Sequence, residues 1–328
     1  PLFAPAQART QLYAETNQEA LDLHIQAFRL AEELSCPVMV CMDGFILTHA
    51  YDRVDMPTQA QVDAFLPPFE PRQVLDPADP CTIGAMVGPE AFTEVRYLAH
   101  HKQLRALTLI PQLSAAFAAQ FGRASGGLIC GYRAEDAETI VVALGSVNGT
   151  VQEVVDDMRA SGVAIGSVSI CSFRPFPLAA LRDALEHAKR VVVLEKCLAV
   201  GLGGIVSDGV RKALSGVQLK GYTVIAGLGG RPITHASLQQ LFTDATADEL
   251  ASSYTNLLAL RDLAFNDLDD VIVSSTVPKV LPEYVEMTER YLGEECLVVG
   301  PGLKTGMPIR TENPRELGAD RLVNAVAA

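Results

Sequence analysis

The sequence predicts a multidomain α/β protein whose middle part forms a doubly wound, mostly parallel sheet. Three observations support this prediction. Between residues 138 and 228, short strand-like runs alternate with helix-like runs, which is the order that builds parallel sheets. The strand-like runs are rich in Val and Ile, as expected when helices cover both faces of a sheet. The chain has 328 residues, which is enough for two or three domains.

The first predicted helix begins near Thr16. Thr16 and Glu19 have the spacing of a capping box, in which two side chains satisfy backbone amides at the start of a helix. The apolar residues Leu23, Phe28 and Leu30 follow. We expect them to form the buried stripe of this helix, because apolar residues on one helical face mark the side that contacts the core.

The next segments combine a strand, a crossing segment and a second helix. Residues 37–42 are apolar and predict a short buried strand. The polar cluster 43–49 follows at its carboxyl end, where open α/β sheets place ligands. Residues 50–90 are rich in proline and predict an ordered, loop-like crossing between domains that keeps aromatic anchors. Residues 89–120 predict a helix.

The alternating region and the region after it follow two different patterns. For the first we predict strands at 139–144, 164–170, 190–194 and 222–228, and helices near 150–160, 178–187 and 204–214. The second pattern begins near residue 246. For it we predict a helix to about 263, a strand at 271–276, a helix after Pro282, a strand at 296–299 and a glycine-rich turn at 300–302.

Charge and hydropathy argue against some classes of partner. The formal net charge is −13, whereas nucleic acids and anionic membranes require clustered Lys and Arg. No apolar run is long enough to span a bilayer, and no signal peptide is recognised. We therefore expect a cytoplasmic protein. The chain begins at Pro1 and ends within the apolar run 323–328, so we interpret both ends as cut points.

The seven cysteines occur singly along the chain. Their odd number and the length of the chain argue against a secreted disulfide framework, and we expect buried, reduced thiols. No Cys-x-x-Cys pair occurs, which excludes a ferredoxin-type iron–sulfur site made by this chain alone. The cysteines are Cys36, Cys41, Cys81, Cys130, Cys171, Cys197 and Cys296.

Two glycine-rich turns follow predicted strands and raise the question of phosphate binding. Residues 145–150 could hold a phosphate on the first amides of a helix, but the Lys-Ser/Thr ending of a P-loop is absent. A plain tight turn with Thr150 as the helix cap explains the segment equally well. In 201–204, a dinucleotide fingerprint would need glycine at position 206, which is Val206.

Two further turns carry an arginine or a set of glycines. Arg174 lies in the segment 173–177, where Pro177 suits the first turn of a helix. The guanidinium could pair with an anionic group or hold a carboxylate of a neighbouring domain, and we favour the structural role. Residues 227–234 predict a strand end, a sharp turn and a helix start, with glycines that permit positive φ or close backbone approach.

Two histidine-containing segments have catalytic and structural interpretations. Asp43 and His49 could transfer a proton, although such residues more often cap turns and satisfy backbone groups. His100 and His101 are neighbours on a predicted helix and point in different directions, which argues against a shared metal ion.

Eight short motifs occur in a fixed order over the first 245 residues. They are Tyr13–Glu15, Gln18–Asp22, Pro37–His49, Phe65–Pro68, Glu135–Glu138, Gly145–Thr150, Phe173–Pro177 and Gly227–Thr234. Their order and spacing, over about 240 residues, resemble the alpha subunit of 2-oxoacid:ferredoxin oxidoreductases of the pyruvate type.

This resemblance implies oxidative decarboxylation of pyruvate on thiamine diphosphate, with electrons passed through iron–sulfur clusters to ferredoxin and acetyl-coenzyme A formed from coenzyme A. It implies Mg²⁺ with the thiamine cofactor, and partner subunits that hold most of the cofactors. It also implies three segments: the end of a pyrimidine-binding domain at 1–75, a helical crossing segment at 76–137, and a transketolase C-terminal-like domain at 138–245.

The family's functional residues are only partly present. The glutamate that activates the aminopyrimidine, and the substrate-binding threonine and arginine, precede the matched region in the family. The resemblance therefore assigns no cofactor-binding residue here, and we expect this chain to be inactive alone. In the last motif Pro232 replaces the usual aspartate, which removes a polar group at that turn.

From Thr246 the sequence resembles a different family, type III pantothenate kinase, which has an actin-like kinase fold. The matching stretches are Thr246–Leu250, Val271–Pro278, Gly300–Gly306 and Asn313–Ala325. The resemblance implies that Gly318, Ala319, Asp320 and Arg321 hold pantothenate and that Asp320 is the general base. ATP would be the phosphate donor. The kinase's phosphate loop and nucleotide-binding half have no counterpart in this sequence, so a plain helix start at 318–324 is the structural alternative.

Three hypotheses of function remain open at this point. The chain could be an oxidoreductase subunit, a pantothenate kinase remnant, or a chimera without catalytic activity. The junction near residues 243–247 could be engineered, a misassembled reading frame, or a natural fusion.

Overall fold

The computed structural model describes part of the chain in two compact units, residues 1–233 and 234–328, and each is treated by itself. The described residues are 9–71, 73–81, 83, 87–245, 272–273, 281–293 and 296–298. The strands are β1 (Thr10–Tyr13), β2 (Val38–Cys41), β3 (Ile129–Tyr132), β4 (Thr139–Ala143), β5 (Ile165–Ile170), β6 (Ser172–Arg174), β7 (Arg190–Glu195), β8 (Lys220–Ile225), β9 (Ile272–Val273) and β10 (Leu297–Val298). The helices are α1 (Asn17–Leu34), α2 (Gln59–Phe65), α3 (Pro89–Phe121), α4 (Val147–Ala160), α5 (Leu178–Leu185), α6 (Ile205–Ala213), α7 (235–245) and α8 (Leu281–Leu292).

Helix α1 confirms the first predicted element and corrects its buried face. The Thr16 side chain accepts a hydrogen bond from the Glu19 amide at 3.1 Å, as in a capping box. Leu23 and Leu30 are each 1 % exposed, but Phe28 is 63 % exposed. Phe28 follows Leu23 by five residues, which turns it about 140° away around the helix axis. The prediction that Phe28 is buried is therefore wrong.

A three-stranded sheet carries the first part of the chain, in the order β2-β1-β6. Strand β1 pairs parallel with β2 and antiparallel with β6. Strand β2 was expected to be buried, but all four of its residues are only half-buried, because it lies at the edge of this sheet. The sequence did not predict β1 or β6, since both are too short to show a periodicity.

The proline-rich crossing segment contains one helix that was not predicted. Helix α2 begins with a capping box between Thr58 and Gln61. Phe65 at its end is 1 % exposed and packs edge-on against Phe117 of α3, at 5.7 Å between ring centroids. Phe69 is 59 % exposed, so the aromatic anchor of this segment is Phe65. Helix α3 confirms the helix predicted over 89–120.

The predicted parallel sheet is confirmed as a five-stranded sheet in the order β3-β5-β4-β7-β8. Strands β4, β5, β7 and β8 are parallel, and β3 adds an antiparallel edge that the sequence did not predict. Strand β8 ends at Ile225, three residues before the predicted end at 228. The chain turns there because Gly227, Gly229 and Gly230 have positive φ.

Helices cover this sheet as the doubly wound prediction requires. Alternate strand residues such as Ile140, Val142 and Val193 form one buried cluster with α5 and α6. Helix α4 packs against β4 and β5, and its Val151 and Val154 are fully buried outside that cluster. The carboxyl ends of β4 and β7 consequently lie side by side, followed by α4 and α6.

The second unit is described only in parts. Strands β9 and β10 pair in parallel, within the predicted strands 271–276 and 296–299. Helix α8 confirms a helix at Pro282, and its Arg290 lies 3.9 Å from Asp244 of α7. The helix predicted over 246–263, the turn at 300–302 and the motif at 318–321 lie outside the described residues.

Candidate functional site

Asp43 is the first polar residue beyond the carboxyl end of β2, and it is bound by groups from two other elements. Its Oδ2 accepts hydrogen bonds from the Ser146 amide at 2.7 Å and from the Ser146 hydroxyl at 2.5 Å. Lys196 Nζ, just beyond β7, lies 3.2 Å from the same oxygen. Burial alone would raise the pKa of Asp43, but the Ser146 hydrogen bonds and the Lys196 charge outweigh it and lower that pKa. Asp43 is therefore a structural anion.

The Asp43 carboxylate lies at the start of α4, where the glycine-rich turn 145–150 had raised the question of phosphate binding. A Cβ at Gly145 would lie 2.8 Å from Asp43 Oδ2, so the carboxylate sits directly against this turn. The turn supplies an amide to an anion of the protein itself, which supports the tight-turn interpretation of residues 145–150. The expectation that Thr150 caps the helix is wrong, because α4 begins at Val147 and Ser146 is its N-cap.

Glu195 at the end of β7 binds an amide group at the start of α6, as Asp43 does at the start of α4. Its carboxylate accepts hydrogen bonds from the amides of Val206 at 2.8 Å and Ser207 at 2.9 Å, and from the Ser207 hydroxyl. Glu195 is 2 % exposed. A Cβ at Gly204 would lie 1.9 Å from Glu195 Oε1, so glycine is needed there to admit the carboxylate. The turn 201–204 thus accommodates an internal anion, in agreement with its poor match to a dinucleotide fingerprint.

The structure gives Asp43 and His49 separate partners, so they do not form the predicted candidate pair. His49 Nδ1 lies 2.9 Å from the Thr48 hydroxyl, and its ring stacks on Phe45 at 4.6 Å. His49 is exposed on this loop. His100 and His101 lie within α3, as predicted. Among the described residues, no group of three or more His, Cys, Asp or Glu side chains is placed to hold a metal ion.

A cleft of about 830 Å³ opens beside Asp43, between the ends of β1 and β2 and the helices α5 and α6. Arg174 lines this cleft. Its Nη1 donates to the Phe173 carbonyl at 2.6 Å, and its guanidinium lies 4.1 Å from the centre of the Phe173 ring. No carboxylate among the described residues forms an ion pair with Arg174, so the favoured role of holding a neighbouring carboxylate is not seen in this part of the chain.

The cysteines are free thiols, and their burial differs from the prediction. All seven lack a disulfide partner. Cys171 and Cys296 are buried, but Cys81, Cys130 and Cys197 are exposed, so the expectation of buried thiols is wrong for these three. Cys197 follows Lys196 and lines the cleft, as does the half-buried Cys41.

Glu15 lies where β1 and α1 meet the five-stranded sheet. Its Oε1 accepts a hydrogen bond from Asn148 Nδ2 of α4 at 3.2 Å. Burial raises the pKa of Glu15 to about 7, a hydrogen bond from Ser169 opposes the rise, and the charge of Glu19 adds to it. The residue therefore joins the two sheets through a carboxyl group that titrates near neutral pH.

Glu15→Gln is expected to remove a pH dependence of stability. The folded pKa of about 7 lies above the ordinary 4.5, so the stability that Glu15 contributes is fully present below about pH 4.5 and is lost as pH rises through about 7. The variant should be more stable than wild type by about 2 kcal/mol at pH near 8, which is less than the full shift implies because the side chain is only half-buried.

Urea unfolding at about pH 5 and about pH 8 measures this difference. Glu186→Gln, at an exposed position at the end of α5, is the matched control and should show no pH-dependent gain. An equal difference between Glu15→Gln and wild type at both pH values would contradict the placement of Glu15 as a buried carboxyl group.

Comparison with known families assigns two regions of the chain. Residues 3–114 match the family model "Pyruvate flavodoxin/ferredoxin oxidoreductase, thiamine diP-bdg", and residues 137–238 match "Pyruvate:ferredoxin oxidoreductase core domain II". The first 238 residues resemble the alpha subunit of a pyruvate:ferredoxin oxidoreductase. Residues 223–328 match the model "Type III pantothenate kinase". Both resemblances that the motifs predicted are confirmed.

Individual proteins similar to this chain support the resemblance of its first part to an oxidoreductase alpha subunit. The pyruvate synthase subunit PorA of Methanothermobacter thermautotrophicus is 40 % identical over 233 residues, which are 70 % of this chain and 60 % of that protein. PorA of Methanosarcina barkeri is 42 % identical over 241 residues, 71 % of this chain and 60 % of that protein. The ketoisovalerate oxidoreductase subunit VorA of Pyrococcus horikoshii is 36 % identical over 239 residues, which are 71 % of this chain and 60 % of that protein. The chain spans about three fifths of the length of these relatives.

The starts of α4 and α6 do not fit the diphosphate of the thiamine cofactor that one matching family model names. A diphosphate in an α/β fold binds free amides at helix N-termini. At the starts of α4 and α6, amides are already bound by the carboxylates of Asp43 and Glu195. No reaction step is therefore assigned to these residues.

In the part of the chain that is described, no helix combines the length and apolar character needed to cross a membrane.

Proposed function

We propose that residues 1–245 form the alpha-subunit portion of a 2-oxoacid:ferredoxin oxidoreductase that oxidises pyruvate, releases CO₂, forms acetyl-coenzyme A and passes the electrons to ferredoxin. The observation that carries this proposal is the 40 % identity to PorA over 233 residues. Pyruvate is favoured as the 2-oxoacid because the two PorA relatives are more similar to the chain than VorA is.

Partner subunits supply the chemistry in this proposal. The relatives are named as subunits, and the starts of α4 and α6 do not fit a diphosphate. Thiamine diphosphate, its Mg²⁺ and the iron–sulfur clusters are therefore assigned to the assembled complex, mostly to partner chains, with coenzyme A as a substrate and ferredoxin as the electron acceptor. We also propose the domain limits 1–75, 76–137, 138–245 and 246–328. A cytoplasmic location is part of the same proposal.

Co-expression with the partner subunits of a pyruvate synthase tests this function. The chain should co-purify with them, and the complex should reduce ferredoxin only when pyruvate and coenzyme A are both present. Pyruvate should be used faster than 2-ketoisovalerate. Pyruvate oxidation by the isolated chain would contradict the subunit role, and a mixture without association or activity would contradict the function itself.

A second candidate function rests on the match of residues 223–328 to type III pantothenate kinase. Gly318, Ala319 and Arg321 would hold pantothenate, and Asp320 would take the proton of the primary hydroxyl as it attacks the γ-phosphate of ATP. These residues lie outside the described part of the chain.

Asp320→Asn is expected to lower any pantothenate phosphorylation at least a hundredfold, because it removes the general base. Transfer of labelled phosphate from ATP to pantothenate measures the activity. Asp183→Asn, an exposed position on α5, is the control and should leave the rate unchanged. If the wild-type chain transfers no phosphate, or if Asp320→Asn matches it, the kinase candidate is wrong.

A further inference from the structure

The cleft beside Asp43 combines a large volume with a mostly apolar wall. Its volume of about 830 Å³ is in the range of small-molecule sites, which are typically apolar with a few placed polar groups. The wall is built by the three-stranded sheet, the five-stranded sheet and helices α5 and α6. The apolar side chains that line it include Leu144, Phe173, Phe176, Leu178, Leu194 and Ile205.

Three acidic side chains line the cleft, and each already has a partner. Asp43 is bound by Ser146 and Lys196. The carboxylate of Asp208 lies 2.7 Å from Lys212 Nζ, four residues along α6. The carboxylate of Glu195 is bound by the first amides of α6. These contacts use the charges of both lysines in the wall, and no carboxylate among the described residues lies within ion-pair distance of Arg174.

The guanidinium of Arg174 is held in place, but most of its N–H donors have no acceptor among the described residues. A guanidinium carries five N–H donors, and the described residues provide one acceptor, the Phe173 carbonyl at 2.6 Å. The rings of Phe173 and Phe176 lie 4.1 Å and 5.9 Å from its central carbon and fix its plane. Burial lowers the pKa of Arg174, while the charges of Tyr13 and Asp208 oppose that effect. A preorganised, half-buried cation with spare donors favours a ligand with anionic oxygens.

We propose that this cleft binds a small ligand that joins an anionic oxygen group, a carboxylate or a phosphate, to an apolar body, with the anionic group on Arg174. The apolar body lies against Phe176, Leu178 and Ile205, which line the same cleft. This site is independent of the proposed oxidoreductase function, because it needs neither the thiamine cofactor nor a partner subunit.

Four probes separate the two parts of the ligand. Octanoate and octyl phosphate carry both parts, octan-1-ol carries the apolar body alone, and inorganic phosphate carries the charge alone. Titration calorimetry of the full chain should show saturable binding of octanoate, of octyl phosphate or of both. The probe that binds with the higher affinity identifies the head group. Octan-1-ol and inorganic phosphate should each bind at least tenfold more weakly, since one charge-assisted contact contributes about tenfold or more.

Thiol protection locates the bound probe. Cys197 lines the cleft, whereas Cys81 is an equally free, exposed cysteine in the crossing segment and does not line it. The binding probe should slow iodoacetamide alkylation of Cys197 severalfold, as measured residue by residue with mass spectrometry. The rate at Cys81 should not change. Equal effects at both thiols would overturn the location.

Substitutions at Arg174 decide the role of the charge. Arg174→Gln should weaken binding of the anionic probe at least tenfold without changing binding of octan-1-ol. Arg174→Lys keeps the charge but loses the planar donors, so its affinity should be intermediate. Arg105→Gln, at an exposed position on α3, is the matched control. Unchanged affinity in both Arg174 variants, or binding of octan-1-ol as tight as that of octanoate, would overturn the proposal.

Discussion

Glu195→Ala is expected to lower the free energy of unfolding by about 3 kcal/mol or more. The Glu195 carboxylate is buried and accepts hydrogen bonds from the amides of Val206 and Ser207. Alanine would leave both amides buried without an acceptor, and it would also remove the negative charge that the N-terminus of α6 stabilises. Urea unfolding followed by circular dichroism measures the loss.

Glu138→Ala is the matched control for this experiment. Glu138 is exposed, and its carboxylate lies 2.9 Å from Lys189 Nζ. Exposed ion pairs contribute about 0–1 kcal/mol, so this variant should stay within about 1 kcal/mol of wild type. A similarly small effect for Glu195→Ala would show that the carboxylate does not hold the start of α6.

Asp43→Ala is expected to destabilise the chain by about 2 kcal/mol at neutral pH, because hydrogen bonds to a charged group contribute about 1.5–3 kcal/mol. Asp43 follows β2, while Ser146 caps α4 and Lys196 directly follows β7 of the five-stranded sheet, so the substitution loosens the contact between the two sheets. The folded pKa of Asp43 lies below its ordinary value of 3.8. Its contribution is therefore present above about pH 3.8 and is lost as pH falls through the folded pKa.

The difference in unfolding free energy between wild type and Asp43→Ala should thus shrink in strong acid. Denaturant unfolding at neutral pH and at several acidic pH values measures it. Asp183→Ala, at an exposed position on α5, controls for the general effect of removing a carboxylate and should show little difference at any pH. A difference between Asp43→Ala and wild type that stayed constant down to about pH 2 would contradict the ionised state of Asp43.

Much of the fold could be predicted because the strands of the parallel sheet are long, apolar and separated by helices. Strand β7 and helix α6 were both predicted to within a residue or two. Strands β1, β3 and β6 could not be predicted, because three or four residues give no periodicity and their partners are remote in sequence. The exposure of Phe28 follows from its angle on α1, which the apolar composition of the helix does not reveal.

The candidate site could be placed but not interpreted from sequence alone. The position of Asp43 after a predicted strand indicated a ligand site at the carboxyl end of that strand. The glycine-rich turns 145–150 and 201–204 separately raised the question of phosphate binding. Sequence patterns do not reveal that Asp43 and Glu195 bind the helix amides themselves, since that depends on tertiary distances. A glutamate directly after the predicted strand 190–194, six residues before the glycine-rich turn 201–204, was the available signal at 195. The spare charge of Arg174 likewise emerged only from its neighbours in space.

Calorimetric titration of the isolated chain with thiamine diphosphate and Mg²⁺ shows whether the starts of α4 and α6 are closed to a diphosphate. The carboxylates of Asp43 and Glu195 bind amides at these two helix starts. We expect no saturable heat at millimolar cofactor for the chain alone, and binding only after partner subunits are added. Saturable binding of one cofactor per isolated chain would contradict it.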